Sequence, residues 1–308
     1  MDSPTTSIPA KAIALAIGAA LISGVSNFVN KAATAAFGSP VLFTTLKNAC
    51  VALALFGLIV LIRNRAEMAR LNRRQAGLLL LVGAIGGALP FALFFTGLAG
   101  TSAAAGALIH KTLFVWVLLL AVPLLGERPT AGQIAGAFTL LAASLLAGKI
   151  SLFNFGLPEA LILAATLLWA VENVIAKKAL AEVSAGTVAA ARMVIGSAIL
   201  LPFAFWQSRL TALPSLSGAQ WLWLGVTAAL LFGYVLSWYG ALKLAPAGFV
   251  AMLLVPAALI TNALTAVFVT HTLAAGQLAS GLLLIAGTAA IIYYRRRAKP
   301  VKRLITNS

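Results

Sequence analysis

The sequence predicts an all-α membrane protein of about ten transmembrane helices, arranged as two inverted-topology five-helix repeats. Three observations lead there. First, 62% of the 308 residues are hydrophobic and only 9% are charged, against about 25% charged in soluble domains; mean hydropathy is +1.03. Second, apolar runs of roughly 18–25 residues, long enough to cross a bilayer as helices, recur along the chain. Third, the chain repeats itself. Gly126-Glu127-Arg128-Pro129-Thr130-Ala131-Gly132-Gln133 returns 144 positions later as Thr270-His271-Thr272-Leu273-Ala274-Ala275-Gly276-Gln277. Asn27-Phe28-Val29-Asn30-Lys31 returns 146 positions later as Asn173-Val174-Ile175-Ala176-Lys177, and Lys47 falls opposite Arg192 at an offset of 145.

The first repeat covers 11–149. Its first span, 12–30, follows Lys11; that start could pass for a secretory signal, but so many similar runs follow that a retained span is expected. Span 41–62 begins after Pro40, and span 76–97 follows a stretch rich in arginine from Arg63 to Arg74. Span 102–124 opens on Ala103-Ala104-Ala105, and 131–148 follows the Gly126–Thr130 junction. A short connector from Lys149 to Pro158 leads to the second repeat, 157–295, with spans 158–176, 187–206, 219–240, 246–268 and 276–294. Five spans per copy is an odd number, so the second copy enters the bilayer upside down. A basic cytoplasmic tail, 296–308, closes the chain.

Charge orients the bundle. With both termini in the cytoplasm, sixteen of the 22 Lys and Arg residues face inward, only Lys31, Lys149 and Arg209 face outward, and Lys47, Lys111 and Arg192 lie within spans. That bias follows the positive-inside rule and sets the expected orientation. It also accounts for the net charge of +16 without nucleic acid, so the partners expected are the lipid bilayer and a small molecule. The lone Cys50 rules out an intrachain disulfide, and the separation of His110 from His271 argues against a metal centre. No Walker loop, dinucleotide fingerprint or catalytic triad is present, so neither a cofactor nor an enzymatic activity is expected. An intramembrane enzyme would have to work with Glu172, His110 and Lys111 alone.

In its motifs the chain resembles the drug/metabolite transporter superfamily, in its EamA-type ten-helix branch. The resemblance covers about residues 11–295 and rests on several segments. They are Ser26-Asn27-Phe28, Pro40, Ala103-Ala104-Ala105, Leu125–Thr130 with Gly132-Gln133 and Gly136, Arg192, and Pro256 in mid-span. It implies antiparallel repeats around a central cavity and transport of small metabolites, often export, across the plasma (inner) membrane. Three positions depart from the family pattern: Lys47 stands for an arginine, Thr112 for a proline, and His271 for an acidic residue.

Ionisable side chains inside a span are costly and normally face a polar interior or a partner. Five stand out. Lys111, about nine residues into its span and so near mid-bilayer, is the foremost candidate for a substrate contact, against a structural ion pair with Glu172. His110 points about 100° away and either relays protons or bonds a neighbouring helix. Glu172 has three readings: counter-ion for Lys111 or Arg192, proton carrier, or ligand for a substrate ammonium. Lys47 and Arg192, at equivalent turns, suit a carboxylate or phosphate; each could instead cap or snorkel. Asn27, Asn173 and Trp169, with Trp238, could orient a ligand, although buried tryptophan more often packs. Glu127 reads as a helix-start cap. Pro256 is the expected hinge, and Gly83-x-x-x-Gly87, Gly132-x-x-x-Gly136 and Gly276-x-x-x-Ser280 read as close-packing faces. The expected activity is secondary-active export of a small polar anion or zwitterion. The alternative is proton-coupled export of lipophilic cations through Glu172, with a receptor or enzyme behind both.

Overall fold

The computed structural model describes residues 8–61, 65–101, 106, 109–147, 155–207, 209–272 and 275–297. The Ala103–Ala105 motif, Arg63, Lys149 and residues 298–308 of the basic tail lie outside these. Among the described residues every regular element is helical. The first half contains α1 (Ala10–Phe37), α2 (Pro40–Leu61), the short α3 (Arg65–Ala69), α4 (Arg73–Leu81), α5 (Leu89–Ala99), α6 (Leu113–Leu125) and α7 (Ala131–Ala147). The second contains α8 (Leu157–Leu180), α9 (Ala185–Trp206), α10 (Gly218–Leu244), α11 (Ala247–Leu254), α12 (Ala257–Thr265) and α13 (Ala275–Arg297).

Eight helical rods are long and apolar enough to cross a membrane, and two more, Ile109–Leu125 and Ala131–Ser144, are apolar but shorter. Together they fall on the ten expected runs. Several rods are not the uniform helices that hydropathy suggests. A π-helical turn, Val82–Ala88, joins α4 to α5, and a break at Pro256 separates α11 from α12, where the proline has no N–H to continue the ladder.

The rods pair in a pattern that maps onto itself when the halves are exchanged. α1 lies on α10 while α5 lies on α8; α2 pairs with α9, α6 with α11 and α7 with α13. Small residues permit the closest approaches. A Cβ on Gly132 would sit 2.1 Å from the Tyr294 ring, and one on Gly136 2.5 Å from Ile291. In the same α7–α13 contact Ser280 donates to the Ala143 carbonyl at 2.7 Å. The π-helical turn meets α9 equally tightly: a Cβ on Gly87 would lie 2.2 Å from the Arg192 carbonyl oxygen.

One end of the bundle is held by carboxylates. Glu67 accepts from the Ser184 N–H and hydroxyl, both at 2.7 Å, and from the Thr187 hydroxyl at 2.6 Å. Glu182 pairs with Arg74 at 2.8 Å and accepts from Gln75 at 2.9 Å. Glu127 caps a helix, as its junction position suggests, but the helix belongs to the other half. It accepts from the Ala247 N–H and, at 2.9 Å, from the Gly248 N–H at the start of α11, while Thr130 and Gln133 cap α7. Burial pushes the Glu127 carboxyl above its ordinary range, against the pull of those N–H groups and of Lys177 and Arg295. At the opposite end, ties between the halves include Thr101 to Glu159 and Gln220 to the Ala36 carbonyl at 3.0 Å.

Candidate functional site

A buried polar network forms where α8, α9, α10 and the π-helical turn meet. On α8, Trp169, Glu172 and Asn173 recur at helical spacing and face inward, with Glu172 only 1% exposed. Tyr239 on α10 donates to Glu172 Oε1 at 2.5 Å and accepts from Arg192 Nη1 at 3.1 Å. Arg192 on α9 also donates through Nη2 to the Gly86 carbonyl at 3.2 Å, which takes a second bond from Trp169 Nε1 at 3.1 Å. Gly86 belongs to the π-helical turn, a distortion frequent at functional sites. A side chain there has no room, because a Cβ would sit 2.5 Å from Glu172 Cγ. Asn173 completes the network: Nδ2 donates to the Trp169 carbonyl at 2.8 Å, and Oδ1 accepts from Trp238 at 3.1 Å.

Beside this network stands an aromatic cluster. His110 lies edge-on to Trp169 at 4.9 Å and to Phe94 at 5.4 Å, and Phe91 meets Trp169 at 5.3 Å. Three buried polar atoms in this region have no partner: Glu172 Oε2, Arg192 Nε and His110 Nδ1. Lys111, next to His110, is half-buried, and no ion pair joins it to Glu172; the acid sits with Tyr239 and Arg192 instead.

Lys47 is buried elsewhere. Its Nζ donates to Asn30 Oδ1 at 3.4 Å and lies 4.8 Å from the Phe43 ring centre. The equivalent positions of the two halves thus meet different surroundings, an amide and a phenyl ring in one and a tyrosine and a carboxylate in the other. Asn27 is exposed and joins none of these bonds. Pro256 sits at the break between α11 and α12.

The structure therefore brings together Arg192, Glu172, Asn173, Trp169 and His110, and sets Lys47 and Asn27 apart. Sequence reasoning missed Tyr239, Gly86 and Asn30. A tyrosine deep in an apolar run was the available signal for the first, since its hydroxyl must find a partner there. Among the described residues no group of three or more His, Cys, Asp or Glu could hold a metal.

Comparison with known proteins follows this geometry. The profile of the EamA-like transporter family matches residues 10–148 and again 157–293. A solved structure known only as "Crystal structure of protein" superposes with a TM-score of 0.72. It covers 93% of this chain and 98% of its own at 18% identity, so the likeness is one of fold. No curated protein matches.

Proposed function

The chain belongs to the EamA-like transporter family, and we propose that it is a secondary-active exporter of a small anionic or zwitterionic metabolite, such as an amino acid or organic acid, working by alternating access. The observation that carries this reading is the buried network in which Arg192 of one half bonds Gly86 of the other while Arg192 Nε and Glu172 Oε2 stay unpartnered. An unsatisfied donor and acceptor inside a membrane bundle are costly and mark a place where a cargo group completes the bonding. Three interior cations, Lys47, Lys111 and Arg192, outnumber the one interior acid, which favours a cargo with an acidic group.

In this reading Arg192 and Lys111 engage the acidic group, and Lys47 meets it from the other side in the alternate state. Glu172 and Asn173 receive donors of the cargo, Trp169 and His110 form an aromatic wall, and Asn27 lines the approach. The halves rock about Pro256. The self-exchanging pairing of the rods supports inverted repeats, the charge bias supports cytoplasmic termini, and the family resemblance favours the plasma (inner) membrane. Unpartnered Glu172 Oε2 also supports the second reading, proton-coupled export of lipophilic cations.

Flux into proteoliposomes of anions, zwitterions and lipophilic cations separates the two. Lys111→Ala is expected to lower anion or zwitterion flux by about 10–100-fold, the equivalent of one charge-assisted hydrogen bond. If Glu172→Gln abolishes flux while Lys111→Ala leaves it intact, the anion reading is wrong.

A further inference from the structure

Hydroxyl groups in buried helices usually bond back to the carbonyl one turn earlier. Thr166, Ser144, Thr265 and Thr288 do so at 2.7–2.8 Å, each to its i−4 carbonyl. Thr44 and Thr45 on α2 and Ser197 on α9 do not, although they are only 2%, 1% and 4% exposed. Asn48, 1% exposed, leaves both its Oδ1 and its Nδ2 unpartnered. These four side chains lie on α2 and α9, one of the helix pairs that join the halves. On α2 the spacing places Asn48 one turn from both Thr44 and Thr45. On α9 Ser197 is one turn from Leu200. Thr44, Thr45 and Leu200, with Val41, Phe91, Ala92 and Phe203, line a partly open cavity of about 10 Å³ whose surface is apolar, so the two hydroxyls do not open into it. The unsatisfied groups therefore lie in a seam on α2 and α9 beside this cavity, buried and closed to it as the helices stand here.

Such a concentration of unused donors and acceptors contradicts simple packing, since leucine, valine or alanine would fill the same space without the loss. Every group in the seam is uncharged, and each hydroxyl or amide both donates and accepts. We propose that this seam is the hydrogen-bonding wall of the passage and binds an uncharged polar group of the cargo, specifically a hydroxyl. The inference rests on the transport reading given above and narrows it: the cargo carries a hydroxyl in addition to its acidic group. Arg192 and Lys111 take the acidic part, with Lys47 in the alternate state, and the seam takes the hydroxyl.

The test uses the full chain in proteoliposomes and compounds that differ by one hydroxyl: malate against succinate, serine against alanine. A site built around a hydroxyl rejects the analogue that lacks it. The hydroxylated member is expected to show a kcat/KM at least about tenfold higher. Thr44→Val and Ser197→Ala, which remove a hydroxyl with little change of shape, should bring that ratio toward one, chiefly through KM. A ratio near one in the unaltered protein, or one that survives both substitutions, overturns the proposal.

If no compound moves, the transport reading has failed, and thiol accessibility decides the seam on its own. In a Cys50→Ser background, Thr44→Cys and Ser197→Cys should react with the membrane-impermeant sulfonatoethyl methanethiosulfonate at least about tenfold faster than Ser144→Cys, whose position is buried and back-bonded. Equal rates would mean that the seam is dry packing and binds nothing.

Discussion

Replacing Glu67 with glutamine measures how strongly one carboxylate ties the two halves. Glu67 lies on α3 of the first half, yet all three of its bonds from Ser184 and Thr187 reach the start of α9 in the second. Ser184 is itself the N-cap of α9, accepting from the Thr187 N–H at 3.2 Å. An N-cap contributes about 1 kcal/mol, and a carboxylate at a helix N-terminus about 0.3–1 kcal/mol. Glu67 is half-exposed, so water and salt screen part of this, and glutamine can still accept one bond. The expected loss is about 1–2 kcal/mol. It would be read as a fall in the thermal midpoint of the detergent-purified chain, followed by tryptophan fluorescence.

The pH dependence makes this prediction sharper. Burial alone would raise the Glu67 carboxyl, but the hydrogen bonds from Thr187 and Ser184 and the charge of Lys243 outweigh it and hold the group below its ordinary 4.5. A carboxyl lowered by folding stabilises fully above its unfolded value, and that stabilisation fades as pH falls through the folded value. The gap between the unaltered protein and Glu67→Gln should therefore be constant from pH 7 to about pH 5 and close below 4.5. A gap under about 0.3 kcal/mol at pH 7, or one equally large at pH 7 and about pH 3, would refute the reasoning.

Other substitutions probe the centre and the periphery. Tyr239→Phe removes the hydroxyl between Glu172 and Arg192 and strands two buried groups; thermal unfolding should show a loss of about 2–4 kcal/mol, and a loss below about 0.5 kcal/mol would contradict the network. Gly86→Ala puts a methyl 2.5 Å from Glu172 Cγ, at an expected cost of about 1–3 kcal/mol; an unchanged midpoint would show that the π-helical turn yields easily. Gly132→Ala drives a methyl to 2.1 Å from the Tyr294 ring and should be destabilising by a similar amount. Because the clash is with that ring, the penalty should largely vanish in a Tyr294→Ala background; an additive double variant would locate the strain elsewhere.

The doubling of motifs and the apolar runs were enough to place the rods, because length and hydropathy are local properties. Which rods touch is not local. Glu172 had two candidate counter-ions in the sequence, Lys111 and Arg192, and the choice depends on how α8 turns relative to α9 and α10, which hydropathy does not encode. The π-helical turn at Val82–Ala88 was hidden for a related reason: an extra residue in a turn leaves the apolar content of the run unchanged. Asn30 escaped notice beside the more prominent Asn27, although Asn30 is the one that meets Lys47. The seam on α2 and α9 left no signal, since threonine and serine are unremarkable in spans until their usual back-bonds prove to be missing.

The acidic bonds at the Glu67 end bear on energetics before any solute is present. The His271 position answers Glu127 in the repeat, and the stretch 207–217, which answers the Glu67 region, contains no acid. Parting the halves at the Glu67 end breaks the bonds of Glu67, Glu127 and Glu182 to the other half, and parting them at the opposite end breaks, among others, Thr101 from Glu159 and Gln220 from Ala36. A duplicated architecture with interchangeable doorways would leave both gateways equally populated. In the alternating-access reading proposed above, opening at the Glu67 end costs acidic bonds that the repeat does not duplicate, and a solute that drives that opening must supply the compensating difference in affinity.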